Sequence, residues 1–213
     1  EDVMKQMRVI YSDYMDKFNS ELNAKLYGSA IPAYEKADGI NAAFFPMRID
    51  TGSLYNYALC AQRTKDYTKA ALVFGKLADM KFMKHKSNLA LIGVYTETGD
   101  TANVKKQIDI AKKEYPGNLD IIIEEINYYL KQDKAPQALK SLEDGIKADP
   151  ANAELHLILG QTFNKMAFPR DAAGKEAPKP AKYDEYIKSA ENHLLKAIEL
   201  KPNYTNAHYT LGH

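Results

Sequence analysis

AKKEYP at residues 111–116, GIKADP at 145–150 and AIELKP at 197–202 each open on a small residue and close on a proline. Pro116 and Pro150 lie 34 residues apart. Proline cannot continue a helix, so each of these segments ends one helix and starts a turn. Carrying the register backward and forward gives repeats that start at Thr51, His85, Leu119 and Ala153. A weaker repeat starts at Tyr11 and a partial one at Thr205. A fixed period of this length is the mark of a stacked repeat architecture.

The repeated positions carry one residue class each. In the repeat from His85 they read Leu91, Ile92, Tyr95, Val104, Ile108, Ala111 and Pro116, with Gly99 and Asp100 in the turn. From Leu119 they read Ile122, Ile126, Tyr129, Ala138, Leu142, Gly145 and Pro150. From Ala153 they read His156, Leu159, Gly160, Phe163, Ala190, Leu194, Ala197 and Pro202. The repeat from Thr51 includes Leu54, Ala58, Ala70, Phe74 and Leu77, and the partial last repeat keeps His208, Leu211 and Gly212. Positions 4, 7, 8 and 11 share one face of a first helix, and 20, 24 and 27 share one face of a second. Small residues at 8, 20 and 27 let two helix backbones approach; large ones at 4, 7, 11 and 24 fill the space between pairs. A single hairpin cannot bury such a face, so neighbours must stack.

This pattern resembles the tetratricopeptide repeat family, of bacterial type, over nearly the whole chain. The resemblance implies an all-α fold, a right-handed α-solenoid of about five helix-turn-helix pairs and a partial last repeat. The expected organisation is one solenoid over residues 1–213. Its repeats lie near 11–44, 51–84, 85–118, 119–152 and 153–204, the last with an inserted loop at 168–182, and a partial repeat occupies 205–213.

The departures are local. The repeat from Tyr11 has Lys17 and Glu21 at apolar positions, although Tyr27, Ala30, Tyr34 and Ala37 are correctly spaced. Between Asn41 and Arg48 the chain carries six extra residues, and Phe82 stands where the repeat from Thr51 should end in proline. Val3, Met7, Ile10, Tyr14, Phe18 and Leu22 predict one long amphipathic helix, an extended first helix or the remains of an earlier repeat. The loop at 168–182 holds Pro169, Pro178, Pro180 and Gly174, so it reads as exposed and flexible. We expect a tolerated insertion there rather than a partner contact, because lengthening a loop costs little. The half-helix at 205–213 and the initial Glu1 lead us to expect natural sequence beyond both ends.

Composition narrows the function. Hydrophobic residues make up 45% and charged ones 27%, ordinary values for a folded chain. The net charge of +1 offers no basic face for neutralising phosphates, so no nucleic-acid partner is expected. No stretch approaches the ~20 apolar residues of a transmembrane segment. The lone Cys60 forms no internal disulfide or zinc site and reads as a small buried hydrophobe. The compartment and the oligomeric state stay open; the wording of the repeats resembles exported bacterial members, which favours export over the cytoplasm.

No phosphate-binding glycine loop, HExxH or CxxC occurs. His156 and His208 occupy position 4 and read as packing residues rather than metal ligands. Glu124 and Glu125 are adjacent on a helix and read as surface and groove charges; Lys105, Lys106, Lys112 and Lys113 read as a solvated face. The expectation is therefore a protein with no catalytic residue, no cofactor and no metal. The resemblance implies that first helices line a concave groove through positions 2, 5, 6, 9, 12 and 13. Position 5 reads Met15, Tyr55, Leu89, Ile123, Leu157 and Tyr209; position 9 reads Asn19, Leu59, Gly93, Asn127, Gln161 and His213. An apolar stripe flanked by amides suits an extended peptide, the amides bonding its backbone. The expected groove residues are Asn19, Tyr55, Asn56, Lys86, Leu89, Ile123, Asn127, Leu157 and Gln161. A carboxylate clamp known in the family would fall on Met15, Asn19, Asn56, Lys86 and Ala90. Two of its cations are missing here, so we expect no such clamp. The implied function is a protein- or peptide-binding scaffold of unidentified partner, or else a structural subunit of a larger assembly, for instance an envelope-associated one.

Overall fold

The computed structural model describes residues 2–46, 49–171 and 174–212. Arg48 of the spacer, Ala172 and Ala173 of the inserted loop, and His213 of the groove pattern lie outside the described residues. Eleven helices are present among the described residues: α1 (Asp2–Asn23), α2 (Tyr27–Phe44), α3 (Thr51–Arg63), α4 (Tyr67–Asp79), α5 (His85–Glu97), α6 (Thr101–Glu114), α7 (Leu119–Lys131), α8 (Ala135–Ala148), α9 (Ala153–Ala167), α10 (Tyr183–Leu200) and α11 (Thr205–Leu211). Helices α6, α8 and α10 each stop two residues short of Pro116, Pro150 and Pro202. A proline pushes its predecessor out of the helical region, which is why they stop there. The next helices start on caps: Asn118 accepts from the Ile121 amide, and Asn152 from those of Glu154 and Leu155.

The turns inside four hairpins share one geometry. Lys25, Lys65, Gly99 and Asp133, at the same repeat position, all have positive φ, between 59° and 71°. The following amide donates five residues back: Leu26 to Glu21, Asp66 to Ala61, Asp100 to Tyr95 and Lys134 to Tyr129, at 2.8–2.9 Å. This closes the orphaned carbonyls of the first helix in a Schellman turn. Only Gly99 adopts that conformation without a Cβ penalty. Lys65→Gly should therefore stabilise the chain by about 0.5–1 kcal/mol, read as a raised urea midpoint at unchanged slope.

The chain divides into two compact units, Glu1–Gln107 and Ile108–His213. In the first, Phe18, Tyr34, Tyr57, Phe74, Leu77 and Leu91 anchor one apolar cluster. Tyr34 stacks on Tyr57 at 4.5 Å, so α2 meets α3 through aromatic faces. The Tyr57 hydroxyl donates to Glu35, which also accepts from Lys69 at 2.7 Å. The Lys69 ammonium, aided by Tyr57, holds the Glu35 carboxyl below its usual range. The long N-terminal helix forms, but Val3, Val9 and Ile10 are exposed. The returning α2 has 18 residues against 22 in α1, too few to cover its first turns.

In the second unit, Ile122, Ile126, Leu142, Leu155 and Leu159 pack between α7, α8 and α9. Leu157, Leu194, Ala197 and Ala207 form a further cluster among α9, α10 and α11. The inserted loop is short of regular structure: Arg170 and Glu176 form an isolated bridge around Gly174, which has a φ of 76°. Glu125 departs from the surface role expected of it. It is 4% exposed, accepts from Ser141 at 2.7 Å and pairs with the Lys112 ammonium. It stands at position 7, where the repeat wants an apolar residue, and the pair of donors makes its burial tolerable. Lys112 is accordingly bound to α7 and not simply solvated.

Candidate functional site

The residues expected to line the groove lie on the first helices of the hairpins. In the first unit these are Asn19 on α1, Tyr55 and Asn56 on α3, and Lys86 and Leu89 on α5. Asn19 and Lys86 are exposed, whereas Tyr55, Asn56 and Leu89 are half-buried. The Tyr55 ring meets Phe74 edge-on at 5.4 Å and lies 6.1 Å from Phe82. Part of the expected apolar stripe therefore serves the core as well. The side chains of Asn19, Asn56 and Lys86 make no hydrogen bond or ion pair among the described residues, and nothing ties them to one another.

In the second unit, Ile123 and Asn127 are half-buried on α7, with Ile123 resting on the Ile122–Leu142 cluster. The Asn127 amide makes no hydrogen bond among the described residues. Gln161 is exposed on α9 and donates to Thr210 of α11 at 3.4 Å. Leu157 must be corrected. It is 5% exposed, sealed by Leu194, Ala197 and Ala207, so α11 covers the side chain and removes it from the groove. Glu124, one residue past Ile123, is one of the two charges expected on the surface or in the groove. It is half-buried, and burial raises its carboxyl above the usual carboxylate range. Its position, 6 in the repeat, was the available signal.

The hairpins are also tied internally at one register. Position 23 of the second helix carries Gln107, Ser141 and His193 in three successive repeats. Gln107 donates to Asn88 at 2.6 Å, Ser141 donates to Glu125, and His193 meets His156 at 3.0 Å. The repeat from Thr51 puts Leu54 and Val73 at positions 4 and 23 instead. These polar ties were hidden in the sequence because they sit where the repeat usually packs carbon.

No group of three or more metal-ligating side chains comes together among the described residues. Cys60 is fully buried, and that burial pushes its thiol up, away from the reactive thiolate. Among the described residues, no helix is long and apolar enough to cross a membrane.

No protein-family model matches the chain, and no curated protein does. Solved structures do. YrrB, described as a TPR protein with an unusual peptide-binding site, is 15% identical with a TM-score of 0.61, covering 94% of this chain and 91% of its own. MamA from Desulfovibrio magneticus RS-1 is 13% identical with a TM-score of 0.63, covering 92% and 97%. A TPR repeats protein from Bacteroides fragilis NCTC 9343 is 19% identical with a TM-score of 0.52, covering 95% and 96%. At such identities the likeness is one of fold: the chain has the all-α solenoid fold of tetratricopeptide proteins.

Proposed function

We propose that this chain, built on the tetratricopeptide fold, is a non-catalytic scaffold that holds a protein or peptide on the free faces of its first helices. The observation that carries the reading is the state of Asn56 and Asn127. Both are half-buried, neither amide is used by the protein, and each adjoins a half-buried apolar contact, Tyr55 or Ile123. An amide that the protein itself leaves unpaired is open to a ligand, and an extended peptide backbone satisfies both its donor and its acceptor. YrrB, whose fold this chain shares, is described with a peptide-binding site.

The test is selection of extended peptides from a displayed random library, followed by titration of the winners. Ile123→Glu and Asn127→Ala should each weaken binding at least tenfold, roughly 1.4 kcal/mol or more, at unchanged helical circular dichroism. Peptides held equally by wild type and both variants would place binding elsewhere.

One observation favours the second reading, a subunit of a larger assembly: Val3, Val9 and Ile10 present apolar surface on α1. On that reading Ile10→Glu disrupts assembly in light scattering, and Asn127→Ala does not.

A further inference from the structure

Three hairpins are tied at position 23, but only one of the ties is made of two imidazoles. We propose that the His156–His193 contact is an acid-sensitive latch that holds α10 on α9 and lets the hairpin open as the pH falls below neutrality. The argument rests on which atoms must carry hydrogens. His156 Nε2 faces the Pro150 carbonyl at 3.2 Å. A carbonyl only accepts, so Nε2 carries the hydrogen. The same arrangement recurs in the next repeat, where His208 Nε2 faces the Pro202 carbonyl at 2.8 Å. The turn thus sets the tautomer of a position-4 histidine. With Nε2 protonated, neutral His156 offers Nδ1 as an acceptor. His193 Nδ1, 3.0 Å away, must then donate.

Two neutral imidazoles carry two ring hydrogens. A third can be added on His193 Nε2, because that ring is only half-buried. A fourth would have to sit on His156 Nδ1, directly opposite the Nδ1–H of His193, and the contact would become two donors facing each other. The closed latch therefore holds at most one extra proton, whereas the open hairpin holds two. His156 is 7% exposed, the two imidazoles meet edge to edge with centroids 5.3 Å apart, and the Phe163 ring lies 6.1 Å from that of His193, so little room is left for water to take over the lost bond while the helices stay packed.

No carboxylate neutralises the pair. Burial, and after it the proximity of the His156 imidazole, holds His193 below its ordinary range. On α8, Asp144 and Lys147 face each other at 3.9 Å in solvent. On α9, Glu154 is exposed and acts on Tyr204, while Lys165 is paired with Asp133. On α10, Lys196 is paired with Glu199 at 2.8 Å, and on α11 His208 is turned to its own proline carbonyl. Protons are therefore taken up first by the open hairpin. The closed form loses ground as the pH falls below the ordinary imidazole value of about 6.5, by about tenfold in the closing equilibrium per pH unit.

The chain contains its own control, because Asn88 and Gln107 make the equivalent tie without a titrating group. The experiment is amide hydrogen exchange on the full chain from pH 7.5 to 5, corrected for intrinsic rates. It compares wild type with the double variant His156→Asn, His193→Gln. Opening of α9 and α10 should rise about tenfold per pH unit below ~6.5 in wild type, stay flat around Asn88 and Gln107, and stay flat throughout in the variant. A flat wild-type profile, or an equal slope in the variant, would overturn the latch. If the variant does not fold, proton NMR of the wild-type imidazoles decides. One proton taken up by the pair across that range supports the latch, and two independent titrations near ~6.5 sink it.

Discussion

Phe74→Ala is expected to cost about 3–5 kcal/mol, the largest effect of any single truncation in the first unit. Phe74 is fully buried at the centre of α4. Tyr55 meets its ring edge-on at 5.4 Å, and the cluster around it takes residues from α2, α3 and α5. Truncation removes the transfer energy of the ring and leaves a cavity that three packed helices cannot collapse to fill. Tyr55 also loses its support, so the half-buried face of α3 beside Asn56 should loosen with it. In a repeat array each hairpin leans mainly on its neighbours, so the loss should be local. Hydrogen exchange should speed most in α3, α4 and α5 and least in α9 and α10. A cost below ~1.5 kcal/mol, or a uniform rise across both units, would show that Phe74 does not anchor this cluster.

Gly160→Ala is the second, expected to destabilise by about 1–3 kcal/mol although alanine is the better helix former. A Cβ built on Gly160 lies 2.7 Å from Leu194 Cγ and 3.2 Å from the Ala190 carbonyl oxygen. The Leu194 side chain has to turn aside and the backbone carbonyl cannot, so α9 and α10 must separate. Gly93 provides the contrast. It lies in the interior of α5 with nothing within 4 Å of a built Cβ. Gly93→Ala should therefore stabilise by up to about 1 kcal/mol. Thermal unfolding of the two variants should give shifts of opposite sign. Like signs would mean that helix propensity, not the closeness of α9 to α10, sets the outcome.

Those two glycines also show how far sequence reasoning reached. The small residue at position 8 announced a close approach at Gly160, because the pattern repeats and the reason for it is steric. Helix boundaries near Pro116, Pro150 and Pro202 were equally plain, since proline acts through its own ring and needs no context. The free face of the first helices was less so. Position 5 was read as one apolar stripe, yet Leu157 is sealed under α11 while Ile123 stays half-buried. Periodicity assigns a residue to a face of its helix. It does not say what lies against that face. Glu124 and Glu125 carry one expectation, surface and groove charges, and Glu125 fails it for the same reason. Neighbours in sequence, one lines the free face and the other is buried against Ser141 and Lys112, and only the packing of α8 separates their roles.

By itself the sequence determined the local and the periodic: which segments are helical, where they end, and that hairpins of one design must stack. These follow from backbone sterics and from spacing along a single chain. Tertiary structure alone decided which polar side chains meet. The Asn88–Gln107, Glu125–Ser141 and His156–His193 ties join residues 16–37 positions apart at one register. A hydrogen bond depends on distance and on the direction of both partners, and neither exists until the second helix has folded back on the first.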